Sequence, residues 1–137
     1  MKPIFQVSIK VIFIDNKKQT LILRRSDYDG WEVNCWEFPG GRMAYGETIE
    51  EALRREILEE TQLSMAEIND YELLFADTKI INQYTQNVYL FFMVPVDSFT
   101  PQLSFEHSEY KWIPIECIFD YISFSDNQVN KIKRRML

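Results

Sequence analysis

Three glutamates on one predicted helix are the residues whose types and spacing point most directly to chemistry. Thr48 and Glu51 have capping-box spacing, which predicts a helix beginning near Ile49. Ile49, Ala52, Leu53 and Ile57 then fall at i, i+3, i+4 and i+8, an apolar stripe that faces a core. Glu56 and Glu60 continue this stripe, and Glu59 flanks the same face one turn from Glu56. Carboxylates directed inward repel one another and are costly to desolvate. A hard divalent cation is the simplest compensation, since Mg²⁺ takes oxygen ligands and usually keeps water plus substrate phosphate oxygens. A helix merely solvated on its acidic side would carry these charges opposite the stripe. The second signal is glycine: of four in the chain, Gly40, Gly41 and Gly46 fall within seven residues. Backbone there must turn sharply or come close to something. Trp36-Glu37-Phe38-Pro39-Gly40-Gly41 enters this loop, and Gly46-Glu47 leaves it at the helix start.

The elements that must position this loop and helix are legible in outline. Phe5 to Val11 alternates apolar and polar residues, the pattern of a strand with one buried face. Asp15-Asn16-Lys17-Lys18 is turn chemistry, and Thr20 to Arg24 reads as the returning strand of a hairpin. Ser26 to Asn34 has no clear period and reads as a loop. Tyr71 to Ile80 reads as a strand, Ile81 to Asn87 as a polar hairpin connection, and Val88 to Val96 as a central strand covered on both faces. Trp112 closes a short strand, and Pro114 suits the first turn of a short helix through about Tyr121. Ser125 and Gln128 cap a last helix whose Val129, Ile132 and Met136 form its stripe. Lys131, Lys133, Arg134 and Arg135 near its C-terminal end read as a solvated face that compensates the helix dipole. Strands on both sides of one amphipathic helix, with another at the end, predict an α+β or α/β sandwich. Its expected core is a mixed central β-sheet flanked by helices.

Composition narrows the class. At 137 residues the chain has the length of one average domain, so a single domain over 1–137 is expected. No apolar run approaches the roughly 20 residues that span a bilayer, and no signal-peptide core opens the chain. A net charge of −6 argues against a nucleic-acid polymer as partner, for which a basic face is expected. The single histidine, His107, excludes a multi-histidine zinc site. Cys35 and Cys117 make neither a ligand spacing nor a disulfide framework, which favours a reduced, cytoplasmic setting.

Residues 41–63 resemble the Nudix box. Gly41, Glu47, Arg55-Glu56-Ile57-Leu58-Glu59-Glu60 and Leu63 occupy the fixed positions of the pattern G-x5-E-x7-R-E-U-x-E-E-x-G-U, where U is bulky and aliphatic. One fixed position departs: Gln62 stands where the family has glycine. A glycine just past a helix end permits a left-handed cap, so Gln62 must bear strain there or end the helix differently.

The resemblance implies a Nudix-like fold and hydrolysis of a nucleoside diphosphate linked to another moiety, with Mg²⁺ required and Mn²⁺ as a substitute. It implies Glu56, Glu59 and Glu60 as metal ligands, with the Gly40 carbonyl as a further one. Arg55 would orient Glu59, and Glu47 would support the cluster from behind. For the general base it leaves Glu59, Glu56 and, outside the box, Glu106. Glu106 matches the acidic residue that MutT-like members carry before a tryptophan, here Trp112. Arg25 resembles the arginine such enzymes aim at substrate phosphate, and Asn127 the asparagine with which they read a purine edge; a salt bridge and a helix first-turn position are the alternatives. Phe5, Tyr28, Trp31 and Tyr84 could stack on a base. The favoured substrate is a free nucleoside triphosphate, including an oxidised purine one, cleaved to monophosphate and pyrophosphate. A nucleotide sugar, a dinucleoside polyphosphate, or a non-catalytic nucleotide sensor are the alternatives.

Overall fold

The two faces of the first strand set the architecture of the computed structural model, which describes residues 2–64 and 70–137. This strand, β1 (Ile4–Ile14), turns Ile9, Val11 and Phe13 to one side and Gln6, Ser8, Lys10 and Ile12 to the other. Six more strands and two α-helices follow along the described chain: β2 (Gln19–Arg25), β3 (Trp36–Glu37), β4 (Gly40–Arg42), α1 (Ile49–Thr61), β5 (Glu72–Asn82), β6 (Thr85–Pro95), β7 (His107–Pro114) and α2 (Asp126–Met136). A four-stranded sheet has the order β4-β1-β6-β5, and a three-stranded sheet the order β3-β2-β7. β1 and β6 run parallel while β4 and β5 pair antiparallel at the edges, so the larger sheet is mixed.

Each face of that sheet has its own core. Ile9, Val11 and Phe13 cluster with Ala52, Leu53 and Ile57 of α1. Ile12 clusters with Phe91 of β6, Ile118 of the 3-10 helix Ile115–Asp120, and Ile132 of α2. The outcome is the expected α+β sandwich with a mixed sheet between helices. Both helices also start as predicted, with complete capping boxes at Thr48/Glu51 and Ser125/Gln128.

Four local readings are corrected. β1 and β2 do not form a hairpin: the turn at Asp15 carries the chain from one sheet to the other, and β2 pairs with β3 and β7 instead. Asp15 Oδ1 accepts from the backbone N–H groups of Lys17 and Gln19, so the turn chemistry was real but fixes no strand pairing. The connection expected at Ile81–Asn87 shrinks to Gln83 and Tyr84, because β5 and β6 extend through it. β7 continues past Trp112 to Pro114, which caps a 3-10 helix rather than entering its first turn. Ile49, first of the apolar stripe, is 43% exposed, since α1 meets the sheet only from its second turn onward.

Candidate active site

Two glycines let the sheet edge approach α1. Gly40 has φ +140°, and a side chain there would collide with the Ile9 carbonyl of the neighbouring strand. A Cβ on Gly41 would lie 2.6–2.8 Å from the Glu56 carboxylate. The glycine pair therefore makes room for the carboxylate as well as for the turn. Glu56 is 7% and Glu60 4% exposed, as the continuation of the stripe predicts, and Glu60 accepts a 2.7 Å hydrogen bond from the Gly40 N–H. Burial pushes the Glu60 carboxyl up to about 8, against the pull of that hydrogen bond and of Lys10. Glu56 is also raised, chiefly by burial, with Arg55 opposing and the charges of Glu59 and Glu106 adding to the rise.

Arg55 organises the rest. Its Nε and Nη2 donate to the Glu47 carboxylate, at 2.6 and 2.9 Å, and Nη2 also reaches the Arg42 carbonyl at 2.9 Å. Nη1 lies 2.9 Å from Glu56 Oε1 and 3.3 Å from Glu59 Oε2. The hydrogen bonds from Arg55 hold the Glu47 carboxyl near 2, and Glu47 in turn raises the basicity of Arg55. Glu47 also accepts from the Ala44 N–H, which ties the glycine loop to the helix.

Among the described residues no three acidic, histidine or cysteine side chains already converge as a metal-holding group. The donor set still fits a hard divalent cation. It consists of carboxylate and carbonyl oxygens only, and two of its carboxylates are buried with raised proton affinity, so a cation there relieves a real electrostatic cost. Arg55 Nη1 forms ion pairs with both Glu56 and Glu59.

Gly40, Gly41, Glu56, Glu59 and Glu60 line an open cleft of about 1040 Å³. Its floor is the polar face of β1 together with Asn87, Tyr89 and Phe91 of β6. Glu106 and Arg25 also line the cleft, and the Glu106 backbone carbonyl accepts from the Ser26 N–H. Arg25 is buried, and its guanidinium bonds the Trp31 carbonyl, Tyr28, Asp29 and, at 3.5 Å, Glu37. It therefore anchors the loop between β2 and β3 from inside. Tyr28 and Trp31 line the cleft, whereas Phe5 and Tyr84 border a separate shallow groove at the end of the sheet. Asn127 is exposed in the first turn of α2 and is absent from the cleft wall, which its neighbour Gln128 joins.

Sequence reasoning missed the centre of the floor. Glu37 receives Lys10 Nζ at 3.4 Å, Arg25 Nη1 at 3.5 Å and His107 Nε2 at 2.8 Å. Burial raises the Glu37 carboxyl, yet Lys10, the His107 hydrogen bond and Arg25 together hold it near 2. One carboxylate thus ties β1 of the large sheet to β2 and β7 of the small one. Ser8 and Asn87 form a second buried polar pair, with the Asn87 Nδ2 donating to Ser8 Oγ at 3.0 Å. The available signal was Gln6, Ser8 and Lys10 alternating along a strand: their face borders the cleft, not bulk water.

The model of the NUDIX domain matches residues 4–134. The chain is 30% identical over 125 residues to the nucleoside triphosphatase NudI of Escherichia coli (strain SE11), covering 85% of this chain and 87% of that one. It is 37% identical over 68 residues to the 8-oxo-dGTP diphosphatase of Buchnera aphidicola subsp. Acyrthosiphon pisum (strain APS), covering 47% of this chain and 52% of that one. The match thus spans about half the length of that relative. Among solved structures, the MutT protein from Methanosarcina mazei Go1 superposes with a TM-score of 0.78 at 25% identity, over 97% of this chain and 93% of that chain. Members of this family act on small nucleotide substrates and need a divalent metal. A carboxylate-bearing helix set against a paired-glycine strand, within a sandwich shared with these proteins, places the chain in the Nudix hydrolase family, as a member of MutT-like type.

Proposed function

We propose that this protein, as one Nudix domain over 1–137, hydrolyses nucleoside triphosphates to the monophosphate and pyrophosphate, with Mg²⁺ as cofactor and Mn²⁺ as substitute. One observation carries the reading: Glu56 and Glu60, buried on α1 against Gly40 and Gly41, share an open cleft with Glu59 and Glu106. Glu56, Glu59, Glu60 and the Gly40 carbonyl would hold the metal, which when bound supplies charge neutralisation of the phosphates and acidifies water. Arg55 keeps Glu56 and Glu59 aimed together, and Glu47 keeps Arg55 in place. Glu106, which shares the cleft with Glu56 and whose charge acts on it, would take the proton of the attacking water. Glu59 and Glu56 are the other candidates for that base. Arg25 contributes by holding Tyr28 and the Trp31 backbone beside the cleft.

The two free cysteines and the absence, among the described residues, of a helix able to cross a membrane support a cytoplasmic setting with free nucleotides as partners. The decisive assay is a nucleotide panel with Mg²⁺ in which pyrophosphate and phosphate are detected separately. Pyrophosphate release from triphosphates is expected. Turnover of nucleotide sugars or dinucleoside polyphosphates alone moves the substrate class, and binding without turnover makes the protein a sensor.

A further inference from the structure

One lysine stands among the carboxylates of the cleft. Lys10, on the β1 face that carries Gln6 and Ser8, lines it together with Glu37, Glu56, Glu59, Glu60 and Glu106. Its partner in β4 is Gly40, and opposed residues of antiparallel strands have Cα atoms about 4.5–5.5 Å apart. Gly40 in turn gives its N–H to Glu60 at 2.7 Å. The lysine is therefore the neighbour, on the next strand, of two proposed metal ligands.

Its ammonium is held in place but not used up. Nζ donates to Glu37 Oε1 at 3.4 Å, and Glu37 is itself fixed by Arg25 at 3.5 Å and His107 at 2.8 Å. The Lys10 side chain is 17% exposed, so most of it is withdrawn from water. Burial lowers its proton affinity, but Glu37, Glu60 and Tyr89 more than offset this, and the group stays charged. An ammonium has three donors, and Glu37 is its one hydrogen-bond partner among the described residues. Donors withdrawn from water without an acceptor are costly, and an oxygen entering from the cleft relieves that cost.

The other cations of the cleft wall differ. Arg25 already bonds the Trp31 carbonyl, Tyr28, Asp29 and Glu37. Arg42 and Lys79 are exposed, so a ligand must first order them. Lys10 combines a fixed position with donors to spare. Charge then identifies the acceptor, since an ammonium bonds an ionised oxygen more strongly than a carbonyl or a hydroxyl. The ionised oxygens of a nucleoside triphosphate are those of its phosphates, and Lys10 stands beside the groups proposed to hold their metal.

We propose that Lys10 binds an oxygen of the substrate's phosphate chain directly, with Glu37 as the positioning residue that holds the ammonium at the cleft. The inference rests on the hydrolase reading above. Calorimetry with Mg²⁺ tests it on inorganic pyrophosphate and dGMP, the two halves of a cleaved triphosphate, with the unaltered protein and Lys10→Met. At least one probe should bind about 10-fold or more weakly to the variant, and the one that does shows which half the ammonium touches. Mn²⁺ affinity of the nucleotide-free protein, by electron paramagnetic resonance, separates contact from support. It should hold or tighten in Lys10→Met, because a positive neighbour of Glu60 is gone. Unchanged affinity for both probes, or no affinity for either in the unaltered protein, overturns the contact. So does Mn²⁺ binding that weakens together with probe binding, which would make Lys10 a prop of the carboxylates. If circular dichroism shows that Lys10→Met does not fold, the double variant with Glu37→Gln removes the pair without leaving a buried carboxylate unpaired. If neither folds, the Lys10 Nζ resonance of the unaltered protein decides: it should shift when either probe is added with Mg²⁺, and a fixed resonance overturns the contact. Absence of turnover of any triphosphate by the unaltered protein overturns the hydrolase reading, while binding of the two probes still decides the lysine.

Discussion

The two ends of the cleft are built in opposite ways. At the carboxylate end, proposed above to take the phosphates, Gly40, Gly41, Glu47, Arg55, Glu56, Glu59 and Glu60 come from one contiguous stretch, and local geometry joins them. At the floor end, Lys10, Arg25, Glu37 and His107 come from four strands, and Ser8 meets Asn87 across 79 residues of chain. The carboxylate end is a helix with its caps, so its chemistry recurs at helical spacing. The floor exists only after two sheets have formed. A short motif can hold the groups of one end, while the groups of the other meet only when the complete fold assembles them.

The strongest way to break this comparison is to remove one charge from the contiguous end. Glu59→Gln keeps the side chain's size and an oxygen acceptor but loses the negative charge beside Arg55 Nη1. It should lower kcat by at least ~100-fold for every nucleotide, without changing their ranking. A full kinetic panel checks it, and near-normal rates would show that the metal site is wrongly assigned.

How much could be read beforehand follows the same division. Thr48 with Glu51 and Ser125 with Gln128 mark both helix starts, because a capping box is complete within four residues. Glu56 and Glu60 were legible as inward groups for the same local reason. β2 was misread because Asp15 turn chemistry says nothing about partners, which turned out to be Trp36–Glu37 and His107–Pro114. Asn87 was placed in a loop because Ile81 to Asn87 is polar, yet most of that stretch lies in two paired strands. Polarity there reflects a cleft wall, and a sequence alone does not separate a cleft wall from a solvent face.

An intermediate effect is expected from Glu37, the carboxylate that joins the two sheets at the floor. Its carboxyl sits near 2 in the folded protein against an ordinary value of 4.5. A depressed carboxylate contributes stability that is complete above its unfolded value and lost as pH falls through the folded one. The folded state should therefore weaken between about pH 4.5 and 2, and this contribution is on the order of 1–3 kcal/mol. Glu37→Gln should lower the neutral Tm and flatten the acid limb, as followed by thermal melts across that window. An unchanged acid limb would mean that Lys10, Arg25 and His107 do not depend on this charge, and that the sheets are joined by apolar packing alone.

The smallest effect tests whether the contiguous end tolerates a local departure from its own motif. Gln62 closes α1 in the left-handed conformation, φ 63° and ψ 13°, with its N–H still bonded to the Leu58 carbonyl at 2.9 Å. The backbone thus takes the path that a glycine would allow, and glutamine bears the strain of its Cβ, roughly 1 kcal/mol. Gln62→Gly removes that strain but gives the unfolded chain more freedom, which offsets part of the gain. A net rise of about 0.5–1 kcal/mol, a few degrees in Tm, is the expected balance. Turnover should stay within a few-fold, because Glu60 is held from the other side by the Gly40 N–H and does not depend on the cap. Melting curves with and without Mg²⁺ separate the two contributions, since a cap effect persists when metal is chelated. A lowered Tm would show that the Gln62 side chain stabilises the helix end by more than its backbone costs. A rise seen only with metal would show instead that the cap sets the position of Glu60, and that the carboxylate end depends on its last residue as the floor depends on distant ones.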